Sequence, residues 1–216
     1  MLQVRTRPTV VVLFALLVLG GCESTYYSAM ETVGVHKREI LVDRVEDAME
    51  SQEEAKSEFE NAFEQFSSVV NVPPSELQDT YESLNDAFED SEAKAQEVSD
   101  RIDAVESVSE ALFEEWSEEI DLIKDSGLRA SSARQLKASV RQTNELIRAM
   151  RRAEERMEPV LNTFRDYVLY LKHNLNAQAV ASLKGELAGV EADVSSLIAD
   201  MEVSISKAKA FVSEME

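Results

Sequence analysis

The chain has 216 residues, of which 42 are acidic and 22 are basic, so its formal net charge is −20 at pH 7. A charge this negative repels nucleic acid and anionic lipid surfaces, and we expect no nucleic-acid partner. Only six glycines and four prolines occur in a chain dominated by Ala, Glu, Leu, Ser and Val. This composition excludes sheet proteins and compact enzymes and indicates long helices.

The first 21 residues are organised like a secretory signal peptide that ends at the only cysteine. Arg5 and Arg7 are the only charges before an apolar block at residues 10–19. The run Leu19-Gly20-Gly21-Cys22 resembles the lipobox of bacterial lipoproteins. The resemblance implies cleavage between the last two of these residues, followed by acylation of the thioether and of the new amino terminus.

An uncleaved anchor helix and an ordinary signal peptide are the alternatives. Ten apolar residues fall short of the roughly 20 that a spanning helix needs. An ordinary signal favours an alanine-type cleavage site and leaves a lone thiol in an oxidising compartment. We therefore expect a mature periplasmic protein from Cys22 to Glu216, with a net charge near −22, held to a membrane by several acyl chains. Glu23 favours the outer membrane over the inner one.

Residues 22–35 are a predicted lipid-proximal linker, and residues 36–216 are a predicted helical bundle domain. Five aromatic or basic residues lie where the two meet: Tyr26, Tyr27, His36, Lys37 and Arg38. Rings and cations suit a membrane interface, so these residues are candidates for membrane or partner contact. A plain linker followed by a helix start is the alternative.

Apolar residues alternate at spacings of four and three from Leu41 to Val69, which predicts a coiled-coil helix. The stripe is Leu41, Val45, Ala48, Gln52, Ala55, Phe59, Ala62, Phe66 and Val69. A break follows at residues 71–74, with Ser75 as the predicted N-cap of the second helix. Strict heptads then predict a helix from Leu77 to Ile123, ending near Asp125 with Gly127 in the left-handed C′ conformation.

A third stripe begins after Ser131 and Ser132 and runs to Leu175, interrupted at Glu154. Pro159 lies inside it and predicts a kink near Arg156. A break is expected at Asn174 and Asn176. A fourth stripe then runs from residue 183 to residue 215, weakened at its start by Gly185 and Gly189.

The expected fold class is all-α, an elongated antiparallel bundle or coiled coil of three to four long helices. We favour four, which places both ends of the chain at the membrane end of the rod. If the third and fourth helices continue through residue 175, a three-helix arrangement with a projecting arm results. Heptad stripes can be buried within or between chains, so self-association stays open.

Charge differs strongly between the helices. Residues 75–125 carry a net charge of −15, whereas residues 129–173 carry +5. The basic stripe holds Arg134, Lys137, Arg141, Arg148, Arg151, Arg152 and Arg156. We favour pairing of these cations with the acidic second helix, and a docking surface for an anionic partner is the alternative.

The run at residues 164–173 is apolar on more than one face. We favour burial against two neighbouring helices, and a partner surface is the alternative. No phosphate-binding loop is present, and one cysteine with two histidines (His36 and His173) gives no metal site. We expect no cofactor, no catalytic residue and no enzymatic activity.

Four stretches resemble one uncharacterised family. They are residues 26–31, 34–45, 149–154 and 171–177, or YYSAME, GVHKREILVDRV, AMRRAE and LKHNLNA. They look like bacterial coiled-coil lipoproteins classed as domain of unknown function 2959. The resemblance implies a helical envelope protein and supplies no activity or binding residue.

The leading functional hypothesis is a non-enzymatic, lipid-anchored scaffold, spacer or adaptor with an envelope protein partner. The alternative is a carrier that opens its bundle around a lipid or another apolar ligand. Small and flexible side chains could leave room for that ligand at Ala48, Ala55, Ala62, Met150, Met157 and Met201.

Overall fold

A computed structural model describes residues 36–215, and all regular structure in that range is helical. The helices are α1 (Lys37–Val69), α2 (Leu77–Leu122), α3 (Ser126–His173), α4 (Ala177–Lys184) and α5 (Leu187–Met215), with a 3₁₀ turn at Pro74–Glu76 before α2. The all-α class is therefore confirmed. The break predicted at Asn174 and Asn176 separates α3 from α4.

The apolar stripe of α1 is its buried face. All nine residues predicted for it, from Leu41 to Val69, are fully buried. The heptad positions of α2 are buried or half-buried from Leu77 to Ser109 and those of α3 from Thr143 to Leu171, around Phe59, Phe66 and Phe164. Burial of these faces is what stabilises helices of this length in water.

Neighbouring helices run in opposite directions. Lys37 at the start of α1 pairs with Glu115 near the end of α2, and Arg165 near the end of α3 pairs with Glu92 of α2. Helix α5 packs on both α3 and α1. Its ion pairs to those helices are Arg156–Asp200, Lys56–Glu202 and Lys209–Glu53.

The α2–α3 hairpin is longer than the helices beside it. Helix α2 continues for seven residues past Glu115, and sixteen residues of α3 precede Gln142, which contacts Glu214 near the end of α5. Heptad positions Leu112, Trp116 and Leu136 are therefore only half-buried. The stripe continues in the sequence, but α1 and α5 no longer cover it.

The turn between α2 and α3 corrects three predictions. Helix α2 ends at Leu122, and Asp125 is the N-cap of α3, its Oδ1 accepting the amide hydrogens of Gly127 and Leu128 at 2.9 and 2.8 Å. Gly127 therefore lies in the first turn of α3 and not in a left-handed C′ position. The predicted start after Ser131 and Ser132 is likewise too late. The side chain of Asp125, six residues before Ser131, satisfies the free amides.

Ser75 is not the N-cap of α2. It lies within the 3₁₀ turn, and the cap residue is Glu76, without a side-chain hydrogen bond. Helix α3 runs unbroken through Pro159, and the kink near Arg156 stays a prediction. Where Glu154 interrupts the third stripe, the preceding residue, Ala153, is buried instead. The weak start of the fourth stripe is a real interruption, because α4 ends at Lys184 and Gly185 is its C-cap.

Candidate functional site

The structure describes three of the five residues predicted for membrane or partner contact, namely His36, Lys37 and Arg38. Gly21, Cys22, Tyr26 and Tyr27 lie outside the described residues, so lipidation and cleavage stay predictions. His36 is exposed and is the N-cap of α1, its carbonyl oxygen accepting the amide hydrogens of residues 39 and 40.

Lys37 and Arg38 hold the start of α1 in place. The Nζ of Lys37 lies 2.9 Å from Glu115 Oε2, and its side chain is only 11% exposed. The guanidinium of Arg38 donates to the carbonyl oxygen of Met215 at the end of α5. These two contacts place the point where the chain enters the bundle beside the last turns of α2 and α5.

A cavity of about 450 Å³ opens at this end, where α1 and α5 stop against the longer hairpin. Its apolar wall is formed by Leu41, Leu112, Phe113, Trp116, Phe211 and Met215. Trp116, the single tryptophan of the chain, donates its Nε1 hydrogen to Ser132 Oγ at 2.9 Å. The volume of the cavity lies within the range of small-ligand pockets.

Charged side chains at the cavity give it an acidic rim. Glu115, Glu119 and Glu214 line it beside one cation, Arg38. The geometry therefore suits a neutral or cationic molecule with an apolar body, since an anion meets an excess of carboxylates. Nothing in the heptad pattern indicates this cavity. The only signal for it is a mismatch in length, as the stripes of α2 and α3 continue past the predicted ends of their partners.

The residues proposed to leave an adaptable cavity do not line the cavity beside Trp116. Each is buried in the core, with at most 2% of its surface exposed: Ala48, Ala55, Ala62, Met150, Met157 and Met201. At the centre of α1, Gln52 is fully buried with no hydrogen-bond partner for either Nε2 or Oε1 within the described structure. Ser204 Oγ on α5 is in the same situation.

Within the basic stripe, Arg151 forms the predicted ion pairs with α2. Arg151 donates to Glu106 at 2.7 and 3.1 Å, to Glu154 at 2.8 Å and to Asp103. The hydrogen bonds that Arg151 donates to Glu106 are the largest effect, and they raise the pKa of Arg151 above its usual value. Arg156 pairs instead with Asp200 of α5.

The rest of the stripe, Arg152 included, forms no ion pair among the described residues. Arg134, Lys137, Arg141 and Arg148, which we call the basic row, are exposed and take part in no ion pair within residues 36–215. They line an open groove of about 480 Å³ on α3 together with Val140 and Asn144. Pairing with α2 is therefore wrong for the basic row, because these side chains lie on the face of α3 away from the core.

The run at residues 164–173 divides between core and surface. Phe164, Val168 and Leu171 are buried, as the core interpretation predicts, whereas Leu169 and Tyr170 are 54% and 41% exposed. At the turn between α2 and α3, Leu122 and Leu128 are 78% and 66% exposed. We call residues 118–131 around these leucines the hairpin tip. Sequence reasoning missed the tip because neither leucine occupies a heptad position of the predicted stripes, and that spacing marks only core residues.

Within residues 36–215 there is no cluster of three or more metal-ligating side chains. In the same range, no helix combines the length and the apolar character that crossing a bilayer requires. The described site is thus an apolar cavity, an unpaired basic row and an exposed tip, all at the end where the chain enters the bundle.

Comparison with known protein families identifies the family of this chain. No curated protein and no solved structure matches the chain significantly. Residues 26–215 match the family described as "Protein of unknown function (DUF2959)", so the match extends ten residues before the first described residue. The chain belongs to this family.

Proposed function

We propose that this protein is a non-enzymatic spacer, scaffold or adaptor of the bacterial cell envelope, anchored by lipid on Cys22 and facing the periplasm. The supporting observation is the place where the chain enters the bundle. Lys37 and Arg38 fix the start of α1 beside the ends of α2 and α5. The proposed tether, which is the lipid on Cys22 with the linker at residues 22–35, therefore joins the bundle at the end that carries the hairpin tip.

The arrangement that fits this role is an elongated antiparallel bundle of four long helices. The contacts of α1 with α2, α2 with α3, α3 with α5 and α5 with α1 support it. At 1.5 Å per residue, the 48 residues of α3 extend about 70 Å. Such a rod holds its far end well away from the membrane. We propose that this is the outer membrane, because Glu23 follows Cys22.

The hairpin tip is the proposed contact for an envelope protein partner. Leu122 and Leu128 are the two most exposed of the exposed large apolar side chains described in this chain. They lie on a two-helix projection that no other described helix covers. Their high exposure on this projection is the observation that supports a partner contact at the tip.

Two measurements test the tether and the tip separately. Metabolic labelling with a palmitate analogue should mark the wild-type chain in membranes and leave Cys22→Ser unlabelled in the soluble fraction. A photo-crosslinking residue at position 128 should give one defined adduct in intact cells, whereas the same residue at exposed position 196 on α5 should give none. An unlabelled chain that keeps residues 1–21 contradicts the tether. Equal crosslinking at both positions contradicts the tip.

The cavity beside Trp116 supports a second candidate, a carrier of a neutral or cationic apolar ligand. The neutral fluorophore N-phenyl-1-naphthylamine should quench Trp116 emission by energy transfer when it enters. Ser139→Phe, which fills the cavity, should weaken binding at least tenfold, while Ser196→Phe on the exposed face of α5 should not. Equal binding by both variants would rule out this cavity as the ligand site.

A further inference from the structure

The basic row has a regular spacing that fits a helical partner. Arg134, Arg141 and Arg148 are seven residues apart, so they recur about every 10.5 Å along the same face of α3. Heptad-spaced charges are the form in which one helix recognises another, through opposite charges at flanking positions.

The basic row is an exception in this chain. The protein carries a net charge of −20, and most of the interhelical polar contacts of the described residues involve a lysine or an arginine. One turn beyond Arg148, Arg151 binds three carboxylates. The four cations of the basic row bind none within residues 36–215, although acidic side chains outnumber basic ones almost two to one in the chain. The basic row is therefore free to pair with carboxylates from outside this copy of the described domain.

A matching set of carboxylates lies on the neighbouring helix. We call exposed residues Asp100, Glu110, Glu114 and Asp121 of α2 the acidic row, and none of them is in an ion pair within the described residues. Glu114 and Asp121 are again seven residues apart.

The two rows lie at the same level of the hairpin. Arg151 of α3 pairs with Asp103 and Glu106 of α2, and Trp116 bonds Ser132. Because the two helices are antiparallel and rise equally, the stretch from Arg134 to Arg148 lies beside roughly residues 104–118 of α2. Glu110 and Glu114 are therefore level with the basic row, and Asp100 and Asp121 lie about one turn beyond its two ends. One hairpin thus presents a row of cations and a row of carboxylates side by side.

We infer that two copies of this chain pack hairpin against hairpin, with the basic row of each on the acidic row of the other. A two-fold axis parallel to the helices achieves this arrangement. It places α2 of one copy against α3 of the other, and it keeps every residue at the same height along the bundle. The contact is isologous, so each charge contact occurs twice. The same axis keeps both copies of His36 at one end, which is compatible with tethering both chains to one membrane.

Salt should act on this contact in a characteristic way. At about 0.15 M salt the screening length is about 8 Å, so contacts between the rows persist while distant charges of the two acidic copies are screened from each other. At about 1 M the screening length falls to about 3 Å, and the exposed contacts weaken. The dimer is therefore expected at moderate salt and not at high salt.

The test is sedimentation equilibrium of the full chain in a nonionic detergent at both salt concentrations. The wild type should have twice the monomer mass at 0.15 M and the monomer mass at 1 M. The triple variant Arg134→Glu, Arg141→Glu, Arg148→Glu should be monomeric at both. The variant Glu110→Lys, Glu114→Lys, Asp121→Lys should be monomeric as well, and an equimolar mixture of the two variants should recover the double mass.

The matched control reverses three exposed cations elsewhere: Lys172→Glu, Lys184→Glu and Lys207→Glu. It changes the net charge as much as the basic-row variant and should remain dimeric. Circular dichroism and thermal unfolding check that every variant keeps its helices.

Four outcomes overturn the inference: a monomeric wild type at 0.15 M salt, a dimer that survives reversal of the basic row, a dimer that the control also abolishes, or a mixture that fails to associate. A monomeric wild type that binds vesicles with 30% anionic lipid through the basic row would assign the row to membranes instead. All measurements on the dimer are made in detergent. They are therefore independent of the lipid tether and of the partner at the hairpin tip.

Discussion

The ring of Phe66 on α1 stacks on the ring of Tyr167 on α3, with centroids 4.8 Å apart and planes 13° from parallel. Phe66 is fully buried and Tyr167 is half-buried, and burial raises the pKa of the tyrosine hydroxyl. The stack joins two helices that are not neighbours in the chain, at the end of the bundle opposite the cavity.

Replacing Phe66 by alanine should therefore be among the more damaging single changes. We expect Phe66→Ala to lower the free energy of unfolding by about 3–5 kcal/mol, since it removes a buried ring and leaves a cavity. Tyr167→Phe keeps the stacked ring and should change stability by less than about 0.5 kcal/mol. Urea unfolding measures both. A Phe66→Ala variant as stable as Tyr167→Phe would contradict the packing described here.

Gln52 should be the position where a substitution stabilises the bundle. Its amide is fully buried and unpaired within the described structure, which costs about 1–3 kcal/mol. Gln52→Leu has similar volume and no polar group, so the free energy of unfolding should rise by about that amount. Gln96→Leu on the exposed face of α2 is the control and should change it by less than about 0.5 kcal/mol. Destabilisation by Gln52→Leu would show that the amide is hydrogen-bonded in solution.

Arg151 and Arg152 form a matched pair for testing interhelical ion pairs. Arg151 binds Asp103, Glu106 and Glu154 with its side chain 27% exposed, whereas Arg152 is exposed and in no ion pair within the described range. Arg151→Gln should lower the free energy of unfolding by about 1–3 kcal/mol, because it weakens several charge-assisted hydrogen bonds. Arg152→Gln should lower it by less than about 0.5 kcal/mol. Equal losses would mean that the Arg151 network contributes nothing specific.

The start of α3 can be located by its cap. Asp125→Ala removes the acceptor for the amides of Gly127 and Leu128 and should cost about 0.5–2 kcal/mol. Ser131→Ala tests the later start that the sequence suggests and should cost less than about 0.5 kcal/mol. Thermal unfolding of both variants decides between the two positions. A larger loss for Ser131→Ala would place the helix start after residue 131.

Much of the fold can be predicted because heptad spacing depends only on neighbours along one helix. The stripe from Leu41 to Val69 is buried at every predicted position, and the break at Asn174 and Asn176 is where the pattern ends. The helix ends are predicted less accurately than the buried faces. Ser75, Gly127 and Ser131 are all plausible terminal residues by type. Which of several capping residues is used depends on the path that the chain must take to the next helix.

The candidate site was harder to predict than the fold. A basic stripe beside an acidic helix indicates pairing, and Arg151 pairs as expected. Arg134 and Arg141 have the same residue type and a similar spacing, yet the geometry turns them to solvent. The cavity beside Trp116 depends on where α1 and α5 stop relative to the hairpin, a relationship between helices that no single stripe contains.

The long amphipathic helices, the positions of their stripes and the division of charge among them follow from the amino-acid order, because each depends on local spacing and composition. Helix packing settles which cations meet carboxylates, which stripe positions stay uncovered and which buried amide lacks a partner in the described structure. The reason is physical. Pairing and exposure depend on the relative lengths and rotations of helices far apart in the chain, and those are fixed only when all the helices pack together.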